Sequence, residues 1–281
     1  MRAARPAGGT RHTAADQAMG PATGSGSSLV SVGSTADVVR LVLVVALLAL
    51  AAAAVHRWGG LGHSGATLTA AARATVQLGV VGLLIAAVLG SWWLTLAFVA
   101  LMLGVASLTA GRRVLPGRGT WWAAAPVCIG AVPVGVALAA SGVIPLRPVA
   151  LVPILGILIG NAMTATTLAG KRTLDALTTR HGEFEAGQSI GLVDRDAALL
   201  VAREDAALAL VPGMDQTRTV GLVTLPGAFV GTLLGGATPL EAAAVQLVVL
   251  AALLLVQALA VVTMLELVAR GRIGDYGRRT D

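Results

Sequence analysis

Continuous apolar runs, not alternation, dominate this chain. Seven stand out: Val38–Val55, Thr75–Gly90, Trp92–Ala110, Trp121–Ser141, Val149–Gly170, Thr219–Ala237 and Leu240–Ala269. A helix that crosses a bilayer takes roughly 20 apolar residues. The runs show no two-residue period, so they predict helices and not the strands of a barrel. The fold class is therefore all-α: a polytopic membrane protein of about seven transmembrane helices, with a long cytoplasmic helical loop between the fifth and sixth. The second run is short and is predicted to begin near Ala71, with Arg73 reaching back toward the interface.

The polar stretches give the domain organisation. Residues 1–36, rich in Gly, Ala, Ser and Thr, read as a disordered tail. A transmembrane domain follows over 37–270, with the long loop at 171–218, and a basic tail closes the chain over 271–281. The first run ends in "LALAAAAVH", which also suits a signal-peptide cleavage region. Its length and the positive loop behind it favour a retained helix.

Composition agrees with a lipid environment. The chain is 56% hydrophobic and only 12% charged, against about 25% charged in a soluble domain. The net charge of +6 comes almost wholly from arginine, Lys171 being the only lysine. These arginines flank apolar runs, so they orient helices; membrane lipid is the expected surrounding and nucleic acid is not an expected partner. With the N-terminus outside, fifteen of the twenty Lys and Arg residues fall on the cytoplasmic side, as the positive-inside rule requires. The expected location is a multi-pass protein of the plasma (cytoplasmic) membrane with a cytoplasmic C-terminus. The single cysteine, Cys128, excludes an intrachain disulfide. The four histidines, His12, His56, His63 and His181, show no ligand spacing, and no metal-ligand set is assigned.

Small and polar residues inside the runs mark packing seams or a passage. Gly156, Gly160 and Thr164 recur every fourth residue, as do Gly227, Gly231 and Gly235. Such ridges let helices approach closely in lipid. Pro126, Pro133, Pro153 and Pro226 each remove a helical hydrogen bond and permit a kink. Intramembrane polar side chains include Asn161, Thr164, Thr166 and Thr167 in the fifth run, Gln77 in the second, and Gln246 and Gln257 in the seventh. The two glutamines stand eleven residues apart, on nearly one helix face. No chain of buried carboxylates supports a proton relay. Asn161, Met163, Thr164, Gln246 and Gln257 are the candidate pathway residues, and interhelical hydrogen bonding is the competing reading of each.

The loop over 171–218 carries much of the charge. Asp194, Asp196, Glu204 and Asp205 invite comparison with a metal site, but basic residues interleave with them, which favours a solvated or partner-facing surface. At its start "AGKRT" imitates the tail of a phosphate loop. The motif G-x-x-x-x-G-K-[ST] needs Gly at 165 and Ser or Thr at 172; alanine and arginine stand there. Nucleotide binding by this chain is not expected, and Lys171 and Arg172 read as the positive collar of the fifth helix.

Two stretches, "VPILGILIGNAMTATTL" and "LVPGMDQTRTVGLVTLPGAFVG", resemble the FetB-type iron-export permeases of ABC transporters, a family related to plant aluminium-sensitive membrane proteins. The matching positions are Pro153, Gly156, Gly160, Asn161, Ala162 and Met163, then Pro212, Asp215, Thr219, Val220, Gly221, Leu222, Val223, Leu225, Pro226 and Gly227. The match runs from about Pro148 to Ala237. It implies a permease subunit, not an enzyme, that exports iron or another metal ion. It also implies a homodimer paired with separate ATP-binding cassette subunits, with ATP on the partner and no cofactor on this chain. Coupling would fall on Glu185, Ala186 and Gly191, which match the E-A-A-x-x-x-G signature of ABC permeases, although position 187 is glycine. Asp215 would cap the sixth helix or recruit cations at its inner mouth. A stand-alone channel or secondary transporter is the alternative reading.

Overall fold

The computed structural model describes residues 34–117 and 119–274. Of the expected tail over 1–36, residues 1–33 lie outside the described residues, as do Arg118 and the end of the basic tail from 275 onward, while Ser34 caps and Thr35 and Ala36 already belong to the first helix. Packing divides the chain into two units, 1–75 and 76–281.

In the first unit, α1 (Thr35–Trp58) opens at Ser34, whose hydroxyl accepts from the Asp37 N–H at 3.1 Å. Gly60 and Gly62 turn the chain at positive φ, where a Cβ would be strained. Helix α2 (Ser64–Gly90) begins in this unit and runs into the next. The Thr67 hydroxyl lies 2.8 Å from Nδ1 of His56, tying the start of α2 to the end of α1. Helix α2 starts well before the expected Ala71, because Ala, Thr and Ser continue the helix without an apolar run.

The second unit holds the end of α2, then α3 (Trp92–Val114), α4 (Ala124–Ala140, entered by a 3₁₀ turn at Trp121–Ala123) and α5 (Pro148–Thr179). Next come α6 (His181–Ser189), α7 (Asp194–Ala207), a 3₁₀ turn at Leu208–Leu210, α8 (Val211–Thr219), α9 (Gly227–Leu234) and α10 (Pro239–Ala269). Helix α10 starts with a capping box: Thr238 accepts from the Glu241 N–H while the Glu241 carboxylate accepts from the Thr238 N–H.

The protein is an all-helical polytopic membrane protein, with six helices among the described residues long and apolar enough to cross a membrane: α1, α2, α3, α4 with its 3₁₀ turn, α5 and α10. Leucines they leave exposed, such as Leu47, Leu83 and Leu101, suit lipid. The continuous helix expected over Thr219–Ala237 does not form. Helix α8 stops at Thr219; Gly221 adopts φ +85°, its N–H donates to the Thr224 carbonyl at 2.8 Å, and Pro226 restarts the chain as the residue before α9. A proline without an N–H and a glycine in the left-handed region end a helix however apolar the run. Helix α5 instead continues past the expected Gly170 to Thr179, so the stretch that imitates a phosphate loop is plain helix.

Helices α5 and α10 are the centre of this unit, and each packs against α4 and α7 as well as against the other. They run parallel, since Asn161 meets Gln257 and, further along both, Gly170 meets Met264. Two parallel neighbours require the chain between them to travel back along their length. Residues 208–238 do so. Arg195 of α7 reaches Glu266, Gly213 of α8 faces Gln257, and α9 sits beside Val245. The return is thus made in two helical pieces with a break between them.

Glycines set the closest approaches. A Cβ on Gly130 would lie 2.9 Å from the Val256 carbonyl oxygen, and one on Gly156 2.9 Å from Met102 Cε. Gly160, Gly227 and Gly231 have no other element of the described residues within 4 Å of that position. Of the two expected ridges, then, only Gly156 seats a neighbouring helix within this chain. At the far end, the Arg272 guanidinium stacks over the Trp122 ring, 5.2 Å from its centroid.

Candidate functional site

The polar side chains of α5 and α10 converge halfway along their contact. Nε2 of Gln257 donates to Oδ1 of Asn161 at 3.1 Å, and Nδ2 of Asn161 donates to the Ile157 carbonyl at 2.9 Å. An interhelical hydrogen bond of this kind contributes about 0.6–2 kcal/mol in a bilayer. Beside it lies a cavity of about 80 Å³ lined by Asn161, Thr164, Leu168, Pro212, Gly213, Gln216 and Gln257, among others. The Thr164 hydroxyl donates to the Gly160 carbonyl at 3.0 Å, which leaves its lone pairs available. Helix α8 closes the cavity because Gly213 has no side chain: a Cβ there would overlap the Gln257 carboxamide.

Of the five candidate pathway residues, Asn161, Thr164 and Gln257 meet at this cavity. Met163 does not; it packs into the apolar cluster formed with α3 and α4. Gln246 is buried further toward the N-terminal end of α10, and its Oε1 finds no hydrogen-bond partner among the described residues. Gly213 and Gln216 were not singled out in the sequence. Their signal was a glycine and an amide three residues apart in "PGMDQ", inside the most family-specific stretch.

Asp215 does not cap a membrane helix. It lies within α8 and pairs with Arg218, one turn on, at 3.3 Å. Thr219 ends α8, Gly221 sits at the break, and Pro226 and Gly227 begin α9.

The coupling candidates lie on one protruding corner. Glu185 and Ala186 belong to α6, Glu185 pairing with His181 at 3.4 Å. Gly191 makes the turn into α7 at φ +94°. Gly187 stands where the coupling signature has alanine, and it is buried: a Cβ there would meet Ala197 of α7 at 3.2 Å. Ile190 is 80% exposed and Val193 63% exposed, so the corner presents apolar side chains outward. Behind it, Arg195 bonds both carboxylate oxygens of Glu266, at 2.6 and 2.9 Å, and the Asp196 carboxylate at 2.7 Å. Those bonds, Glu266 first, raise the Arg195 pKa further above its ordinary value. Arg180 pairs with Asp205 and donates to the Val201 carbonyl. Among the described residues no three His, Cys, Asp or Glu side chains gather where they could hold a metal ion.

The family profile described as "Uncharacterised protein family (UPF0014)" matches residues 38–272. The chain belongs to this family. UPF0014 membrane protein STAR2 of Oryza sativa subsp. japonica is 36% identical over 195 residues, 68% of each chain. Protein ALUMINUM SENSITIVE 3 of Arabidopsis thaliana is 34% identical over 191 residues, 66% of this chain and 69% of its own. The probable iron export permease protein FetB of Escherichia coli (strain K12) is 32% identical over 109 residues, 39% of this chain and 42% of its own. No solved structure matches. The resemblance seen in the two motif stretches is therefore real kinship, and in this UPF0014 chain those stretches build α5, α8, the break and α9.

Proposed function

We propose that this chain is the membrane-spanning permease subunit of an ABC transporter that exports a metal ion, iron foremost. The observation that carries this reading is kinship with a relative named as an iron export permease. The cavity between α5, α8 and α10 supports it, because amide and hydroxyl oxygens there suit a cation in passage. A separate ATP-binding cassette subunit binds the ATP, this chain holds no cofactor, and two copies pair across the complex. The transmembrane domain over 37–270 lies in the cytoplasmic membrane, N-terminus outside and C-terminus inside. The two-piece return of residues 208–238 counts as a crossing, giving the seven that the Lys and Arg distribution requires.

In this mechanism the α6–α7 corner docks on the ATP-binding subunit through Ile190 and Val193, with Glu185, Ala186 and Gly191 shaping it. Motion of the corner passes through α7 to α10 by the Arg195–Glu266 pair. It passes to α8 through the 3₁₀ turn that joins the two helices.

Two measurements test this. In inverted vesicles holding the whole complex, ATP should drive uptake of radiolabelled iron, and Asn161→Leu should reduce it at least tenfold while the ATP-binding subunit still co-purifies. Unchanged flux removes Asn161 from the pathway; no ATP-driven iron flux in the parent removes the cargo. Secondly, Ile190→Asp with Val193→Asp should release the ATP-binding subunit on purification. A complex that survives with normal ATP hydrolysis places the docking surface elsewhere.

A further inference from the structure

A larger cavity lies between α5 and α9, toward the start of both α5 and α10. It measures about 530 Å³ and is lined mainly by apolar groups, among them Ala150, Pro153 and Ile157 of α5 and Gly227, Ala228 and Gly231 of α9. Ile157 is one helical turn from Asn161, so the same α5 helix lines both cavities, with α8 across the polar one and α9 across the apolar one. Helix α9 is only eight residues long, with α10 as its main neighbour. Glycines at positive φ flank it: Gly221 at +85° before and Gly236 at +92° after, joined by Pro226 and Gly235. Its Gly227 and Gly231 carry no side chain into the empty space beside them. A short helix with a swivel at each end and small residues facing an apolar groove has the parts of a hinged element.

We propose that α9 is a gate: it swings on the Gly221–Pro226 and Gly235–Gly236 joints into the 530 Å³ cavity, closes on α5, and seals the end of the pathway beyond the Asn161–Gln257 pair. This rests on the transport reading for its purpose but not for its geometry. Transporters commonly build their substrate sites at breaks in a membrane helix, which puts this break next to the pathway. Non-helical backbone such as 220–226 is tolerated at that depth only where protein or a water-filled cavity receives its polar groups. Closure gives Gly227 and Gly231 a backbone-close contact with α5, the role that small residues fill between membrane helices.

The test uses the full chain in native membranes, with Cys128→Ser removing the single natural thiol. Ala150→Cys and Ala228→Cys then place one thiol on each wall of the cavity. A bifunctional methanethiosulfonate with a one-carbon bridge should link the pair, because closure brings the walls together. Linking only by a long-bridged reagent, or by neither, means that α9 does not close and overturns the gate. Gly231→Trp, which fills the space α9 would enter, should cut the one-carbon linkage at least fivefold; undiminished linkage also overturns it. In the complex, Gly231→Trp should reduce iron flux at least tenfold with the ATP-binding subunit still attached. Capture by the short reagent in a chain that moves no iron would keep the gate and refute the cargo instead.

Discussion

Gly213→Leu should abolish transport while leaving the chain inserted and its partner bound. The argument starts from one missing atom. Helix α8 touches α10 where Gly213 faces Gln257, and a Cβ at that point would overlap the carboxamide. Either α8 retreats or Gln257 turns away, and the second outcome breaks its bond to Asn161. Overpacking of this kind costs about 1–3 kcal/mol, and every 1.4 kcal/mol is about tenfold in an equilibrium. The measurement is iron flux in inverted vesicles, with membrane insertion and co-purification as controls. Gly160→Ala is the matched contrast. Gly160 belongs to the same polar region, yet its Cβ position is open. Removing a helix-interior glycine there should leave flux intact and add about 0.5–1 kcal/mol of stability. Equal effects of the two substitutions would show that glycine content, not the Gly213–Gln257 contact, matters.

Much of this architecture was legible because lipid imposes a simple rule. Long apolar runs become helices, and four of the seven runs gave a spanning helix close to the expected bounds, while the fifth ran on past Gly170 to Thr179. Helix α2 also formed, but it started early, since its first turns are small and polar and leave no hydropathic signal. The sixth run misled for a physical reason. Hydropathy reports whether a segment tolerates lipid, not whether its backbone can stay helical. In "TVGLVTLPG" the apolar side chains are in place, while Gly221 and Pro226 break the backbone. The α5 and α10 residues of the candidate site were visible as rare polar residues in oily helices. The α8 residues were not, because Gly213 acts by lacking a side chain and Gln216 is unremarkable until α8 folds back. Of the acidic residues in the loop, Asp205 pairs with Arg180 and Asp196 with Arg195.

The same glycine logic predicts a large loss of stability at Gly170. In the sequence this glycine stands in "AGKRT" and looks like part of a phosphate loop. In the fold it is where α3, α5 and α10 come together: a Cβ there would overlap Met264 of α10 and lie 2.8 and 3.0 Å from the two methyls of Val114 of α3. Met264 ends in a flexible thioether and can yield. Val114 is β-branched and held to few rotamers, so it cannot. Gly170→Ala should therefore lower stability by about 1–3 kcal/mol, and Gly170→Leu should prevent the three helices from packing at all. Thermal unfolding of the detergent-solubilised chain, followed with its elution profile, measures both. Val114→Ala should restore part of the loss in Gly170→Ala, because residues in contact couple and distant ones add. Rescue by Met264→Ala alone, with none from Val114→Ala, would mean that α5 presses on α10 and not on α3, and that the three helices meet less closely than this contact requires.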